Sequence, residues 1–141
     1  MICLRRLKYL VRGGAMHPSD LLYSPEHIWC KIEPDGNVRL GMTYHYQEQL
    51  KNIVYLDLPK VGTLIKRGET LGSFESSKTA ADLVSPLSGT MLETNSLILE
   101  KPGLINKEPY EQGWIVLLKP NHPEELDGLL SSKEYVDLIL K

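Results

Sequence analysis

The residue with the clearest potential for chemistry is Lys78. It lies in Glu75-Ser76-Ser77-Lys78-Thr79, a polar stretch between the strand-like runs Thr70 to Phe74 and Ala81 to Val84. That pattern places Lys78 at a hairpin tip, pointing away from any core. Gly62-Thr63-Leu64-Ile65 before it and Gly89-Thr90-Met91-Leu92 after it echo one another. Each is a glycine turn leading into a strand, so two similar halves would meet at Lys78. Glu75 and Asp82 add negative charge nearby. By themselves these features describe only a solvated lysine and two solubilising acids.

Other chemistries find no foothold. His17, His27, His45 and His122 are scattered, with no matched nucleophile–base motif. No paired Cys/His spacing suggests zinc, and no glycine loop suggests phosphate binding. Cys3 and Cys30 make no disulfide framework, which is compatible with a reducing cytoplasm. Cys30, within a strand candidate, reads as a small buried hydrophobe.

A chain of 141 residues is the size of one domain. A formal net charge of −2 gives no general attraction to nucleic acid. No apolar run approaches the roughly 20 residues of a membrane span. Residues 1–15 are set apart as a leader or upstream extension. They hold Arg5, Arg6, Lys8 and Arg12 and no acid, and translation from Met16 is the simplest reading. The domain proper is then 16–141.

Within it, short strands follow one another at close spacing. Ile28 to Ile32, the turn Pro34-Asp35-Gly36-Asn37 and Val38 to Gly41 form a hairpin. Thr43 caps a short helix, and Tyr46, Leu50 and Ile53 share a face. Strands follow at Ile53 to Leu58, Leu64-Ile65, Thr70 to Phe74, Ala81 to Val84, Thr90 to Glu93 and Trp114 to Leu118. This spacing predicts a mainly β sandwich or barrel. The tail is helical, in two segments: one opens with Pro123-Glu124-Glu125, and one is capped by Ser132, with Tyr135, Leu138 and Ile139 on one face. The stretch from Asn95 to Gly113 has no clean period and either hides short elements or forms a functional loop.

The pattern Val61-Gly62, Arg67-Gly68-Glu69, Glu75-Ser76-Ser77-Lys78, Ser85-Pro86, Ser88-Gly89 and Asn95 resembles the biotinyl/lipoyl carrier domains. Serine and threonine beside the lysine, rather than methionines, point to lipoate. The wider context resembles the H proteins of the glycine cleavage system. It includes Tyr23-Ser24-Pro25-Glu26-His27 with Trp29, Gly41-Met42-Thr43 with Gln47 and Leu50, and Val54 to Pro59. It continues through Pro102-Gly103-Leu104-Ile105-Asn106, Pro109-Tyr110 and Gly113-Trp114-Ile115, so that the likeness runs from Leu22 to Leu138.

The resemblance implies a barrel-sandwich hybrid with a short internal helix and C-terminal helices. It implies a non-enzymatic, cytoplasmic, monomeric carrier with lipoate joined by an amide to Lys78. Glu75, Ser76, Ser77 and Asp82 become the expected surroundings of the arm or recognition points for the lipoate-attaching enzyme. The other implied partners are glycine decarboxylase, aminomethyltransferase and dihydrolipoyl dehydrogenase.

Three departures from that family bear on the cargo. Ile28 stands where a glutamate is usual, Lys51-Asn52 replaces a glycine-acidic pair, and Ser77 and Thr79 replace valine and alanine. With Trp29 facing the core, Ile28 alternates to the opposite face, where the resemblance places a carboxylate near the loaded arm. Loss of that carboxylate raises the alternative of a lipoate-binding protein of a heterodisulfide-reductase-like sulfur oxidation complex, carrying sulfur or electrons. A non-lipoylated interaction domain is the alternative from another class.

Overall fold

The computed structural model describes residues 16–141; the leader assigned to 1–15 lies outside them. All strand pairing is antiparallel among the described residues. The first strands are β1 (Leu22–Tyr23), β2 (Ile28–Ile32) and β3 (Val38–Met42). The β2–β3 turn uses Gly36 at φ +90°, and the Asp35 carboxylate accepts the Asn37 N–H at 3.0 Å. Helix α1 (Tyr44–Leu50) follows, its N-cap Thr43 accepting the Tyr46 N–H at 3.2 Å. The helix ends at Leu50, so Ile53 is not on its face but opens β4 (Ile53–Asp57).

Next come β5 (Leu64–Ile65), β6 (Thr70–Ser76), β7 (Ala80–Val84) and β8 (Gly89–Thr94). The aperiodic stretch hides two short helices, α2 (Ser96–Glu100) and α3 (Leu104–Lys107). Asn95 organises it: its side chain caps α2 through the Leu97 N–H and donates to the carbonyls of Gln112 and Trp114, both at 2.7 Å. Strand β9 runs over Val116–Pro120, two residues later than expected, and a 3₁₀ helix covers Pro123–Gly128. Helix α4 (Ser132–Ile139) closes the chain. Its cap is Ser131, not Ser132, because the box needs an acid three residues on, and Glu134 returns the bond. Tyr135 and Val136 are its buried residues, while Leu138 faces solvent.

The strands form a six-stranded sheet, ordered β1-β2-β3-β9-β8-β5, and a three-stranded sheet, β4-β6-β7. One apolar cluster draws Leu40, Met91 and Leu118 from the first and Leu56, Phe74 and Leu83 from the second. This is the expected two-sheet architecture. A second cluster packs Leu21, Tyr23 and Trp29 against Tyr135 of α4, with Tyr23 and Tyr135 stacked at 4.9 Å. Cys30 is buried, and burial pushes its thiol pKa up, as expected for a core residue.

The two glycine echoes lie against one another. Leu64 pairs with Thr90 and Ile65 with Gly89, while β6 pairs with β7 from Thr70–Val84 out to Glu75–Ala80. Both ladders are centred on the Ser77–Lys78 link, and a bulge between Thr70 and Gly72 absorbs the one-residue offset. Gly72 has φ +129°, and a Cβ there would collide with the Asp57 carbonyl oxygen. Gly72→Ala is therefore expected to lower stability by about 2 kcal/mol, measured by urea unfolding, because it attacks both the bulge and the β4–β6 contact.

Candidate site at the β6–β7 turn

Lys78 occupies the middle of the turn between β6 and β7, and its side chain is exposed. The turn is braced at several points. The Ser76 hydroxyl accepts the N–H groups of Lys78 and Thr79, both at 3.1 Å. The Ser76 N–H donates to the Thr79 carbonyl at 2.8 Å, and the Ser77 N–H donates to the Asn52 carbonyl at 2.9 Å. A three-residue turn leaves backbone donors that need partners, and here serine and the neighbouring crossover supply them. The lysine thus stands on a hydrogen-bonded base with an exposed end.

The expected neighbours separate into different roles. Ser76 shapes the turn, and Ser77 anchors it through its backbone. Glu75 is exposed beside it, opposite Ala80 on β7 and Tyr55 on β4. Asp82 is also exposed but sits opposite Ser73, and it lines a different cleft with Asp57, Leu58, Pro59 and Thr70. Ile28 does not face solvent. It is 1% exposed within the main core, while Trp29 is fully buried in the second cluster. The strand alternates as expected, but both of its faces are covered.

The residues beside Lys78 include several that sequence reasoning did not single out. A cleft of about 350 Å³ is lined by Lys78, His45, Glu48, Gln49 and Lys51. Lys51 follows α1 at φ 64°, ψ −145°, a conformation that suits glycine. The Asn106 carboxamide holds this crossover. Its Nδ2 donates to the Lys51 carbonyl at 2.7 Å and to Gln47 Oε1 at 2.9 Å, and its Oδ1 accepts the Ile53 N–H at 2.9 Å. The available signals were the departure at Lys51-Asn52 and the motif ending in Asn106.

The other end of α1 is held by α4. The Tyr135 hydroxyl bridges His27 Nδ1 at 2.6 Å and Thr43 Oγ1 at 2.8 Å. Burial first, and the neighbouring His45 second, lower the His27 pKa from its usual 6.5 to about 4. Burial also lowers His45, with Glu48 opposing. His27 is neutral at pH 7, which suits a ring in close contact with His45 at 5.3 Å and Tyr46 at 5.0 Å.

These features fit a covalently attached lipoyl group. They offer an exposed primary amine, a braced turn and an adjoining polar cleft able to take part of a flexible chain.

Two measurements follow from this geometry. Lys51→Gly should raise unfolding stability by about 1 kcal/mol, since glycine adopts the local backbone without strain; chemical denaturation reads this directly. For His27 the folded pKa lies below the unfolded one, so its contribution is complete above pH 6.5. As pH falls from 6.5 to about 4, the unfolded chain takes up a proton that folded His27 does not. The stability advantage of wild type over His27→Asn should shrink by about 2 kcal/mol across that window.

The family model described as glycine cleavage H-protein matches residues 21–141. A glycine cleavage system H protein of Bacillus velezensis is 40% identical over 121 residues, covering 86% of this chain and 94% of the relative. The mitochondrial H protein of Pisum sativum is 44% identical over 116 residues, covering 82% and 69% respectively. The crystal structure of the H protein of Mycobacterium marinum superposes with a TM-score of 0.81 at 35% identity, covering 88% of this chain and 99% of that one. These likenesses favour the glycine cleavage role over the sulfur-oxidation alternative raised by Ile28. The chain belongs to the glycine cleavage H-protein family, and its role is that of a lipoyl carrier in glycine cleavage.

Proposed function

We propose that Lys78 is the residue acylated by lipoate, and that the chain acts as a carrier rather than a catalyst. The observation that carries this reading is the Lys78 amine itself, exposed at the tip of a turn whose backbone is held by Ser76 and Asn52. Acylation replaces the ammonium with a neutral amide, and the ion pairs among the described residues, Arg39–Glu33, Arg67–Glu125 and His122–Glu124, do not involve Lys78. When bound, the lipoyl group would supply a cyclic disulfide, a two-electron acceptor in which one sulfur can take up the aminomethyl carbon while the other leaves as a thiolate.

The protein's own part is to hold the attachment point still while leaving its end free. Ser76 and Asn52 restrict the base of the arm. A tether of this kind raises the effective concentration of the arm's end at each docked partner. Glu75, exposed three residues before Lys78, and Asp82, four residues after it, give the hairpin an acidic outer face for a lipoate-attaching enzyme to read. The further partners are glycine decarboxylase, aminomethyltransferase and dihydrolipoyl dehydrogenase. No helix among the described residues is long and apolar enough to cross a membrane, and we place the protein in the cytoplasm as a monomer.

Intact-mass measurement after incubation with lipoate and a lipoate-attaching enzyme tests the assignment. Wild type should gain one lipoyl mass and Lys78→Ala none. The same variant should keep its stability to within about 0.5 kcal/mol, as an exposed turn side chain does. A lipoyl mass on Lys78→Ala would move the attachment elsewhere.

A further inference from the structure

Two of the hydrogen bonds made by the Asn106 carboxamide fall on either side of a single residue. Its Nδ2 donates to the Lys51 carbonyl at 2.7 Å, and its Oδ1 accepts the Ile53 N–H at 2.9 Å. Asn52, between them, supplies the carbonyl that takes the Ser77 N–H at 2.9 Å. Asn106 is therefore one residue and one hydrogen bond removed from the turn that carries Lys78. Its bond to Gln47 Oε1 at 2.9 Å fixes the sense of the carboxamide, since only the amide nitrogen can donate there and to the Lys51 carbonyl. Asn106 itself has a firm footing. Ile105 beside it is fully buried in the main core, and the Asn106 N–H donates to the Gly103 carbonyl at 3.1 Å.

The crossover needs such a brace. Lys51 has φ 64°, a conformation that persists in a side-chain-bearing residue only where the surroundings over-determine it. Gln47 holds one side, its carbonyl accepting the Lys51 N–H at 3.0 Å, and Asn106 holds the other through the Lys51 carbonyl. Without Asn106 the peptide plane after Lys51 is released to turn, and Asn52 turns with it. The Ser76 bonds shape the β6–β7 turn from within, whereas the Asn52 bond ties it to this crossover. Losing the brace leaves a turn of the right shape whose pose against the body of the protein is no longer fixed.

We infer that Asn106 is a positioning residue for Lys78, fixing through the Lys51–Ile53 crossover the pose in which the turn offers its amine to the lipoate-attaching enzyme. The inference rests on lipoyl attachment at Lys78. In that step the deprotonated Nζ bonds to the acyl carbon of an activated lipoate, the activating group leaves with the bonding pair, and the surplus amine proton passes to solvent. The enzyme must align one amine with one acyl carbon, and a displacement of about 1 Å is costly. A turn that samples other poses binds more weakly by the fraction of time it spends in the competent one, while the chemistry after binding is unchanged. The effect belongs in KM and not in kcat.

The test uses the full-length chain. Initial rates of lipoylation are measured by intact mass against carrier concentration, and amide exchange at Ser77 is followed by NMR. Asn106→Ala should raise KM about fivefold with kcat unchanged, and should speed exchange of the Ser77 N–H about tenfold. Gln47→Leu removes the bond that orients the carboxamide and should move both readouts the same way, KM by about twofold. It carries the test if Asn106→Ala does not fold. Val136→Ala truncates a buried side chain of α4 outside the brace, and should lower overall stability while leaving KM and Ser77 exchange as in wild type. Unchanged KM and Ser77 exchange in the folded brace variant, or an equal change in Val136→Ala, overturns the inference and leaves lipoyl attachment intact. Absence of lipoyl mass on wild type overturns both.

Discussion

The antiparallel register of β6 against β7 is the constraint from which the rest of the site follows. Phe74 and Leu83 must face the core, so Glu75, Ala80 and Asp82 must face outward. A slip of one residue would expose the first pair and bury the acids. With the register set, the turn can only fall on Ser77, Lys78 and Thr79. The β5–β8 ladder shares the same centre, so the lysine sits on an approximate two-fold axis as well as at a tip. Its exposure is a consequence of core packing on both sides of it.

Exposure and rigidity usually oppose each other at a turn. Here the conflict is resolved by hydrogen bonds from outside the hairpin. The Asn52 carbonyl takes the Ser77 N–H, and the crossover carrying Asn52 is itself held by Asn106 from α3. The irregular connection between β8 and β9 therefore has a mechanical task, bracing the carrier turn at one remove. The far end of α1 is tied through Thr43 to Tyr135, and so to the C-terminal helix. Elements distant in sequence converge on the two ends of one seven-residue helix, too short to be stable by itself.

The charges around Lys78 follow from this arrangement. Ile28 removes a carboxylate that the family resemblance led one to expect, and the structure places that position inside the core, where an acid would be costly. Beside Lys78 itself, the cleft is lined by the carboxylate of Glu48 on α1 and by Lys51. His27 and His45, neutral at pH 7 because burial disfavours their charged forms, add no competing cation.

Much of this protein was legible from sequence alone. Alternation of apolar residues marked the short strands, Gly36 and Asp35 marked the first turn, and Thr43 marked the start of α1, because each of these is a local effect of backbone and side-chain chemistry. Lys78 was legible for the same reason, lying between two strand-like runs with an internal echo. What remained hidden depended on contacts across the chain. The capping of α4 by Ser131 and the two helices within the 95–113 connection were decided by hydrogen bonds that no period reveals. The burial of Ile28 required knowing that a second apolar cluster covers the other face of β2. The cleft at Lys78 required bringing α1 beside a turn nearly thirty residues later. Periodicity reports which face of an element is apolar; only tertiary packing decides what lies against that face, and whether a polar residue far along the chain ends up beside the reactive one.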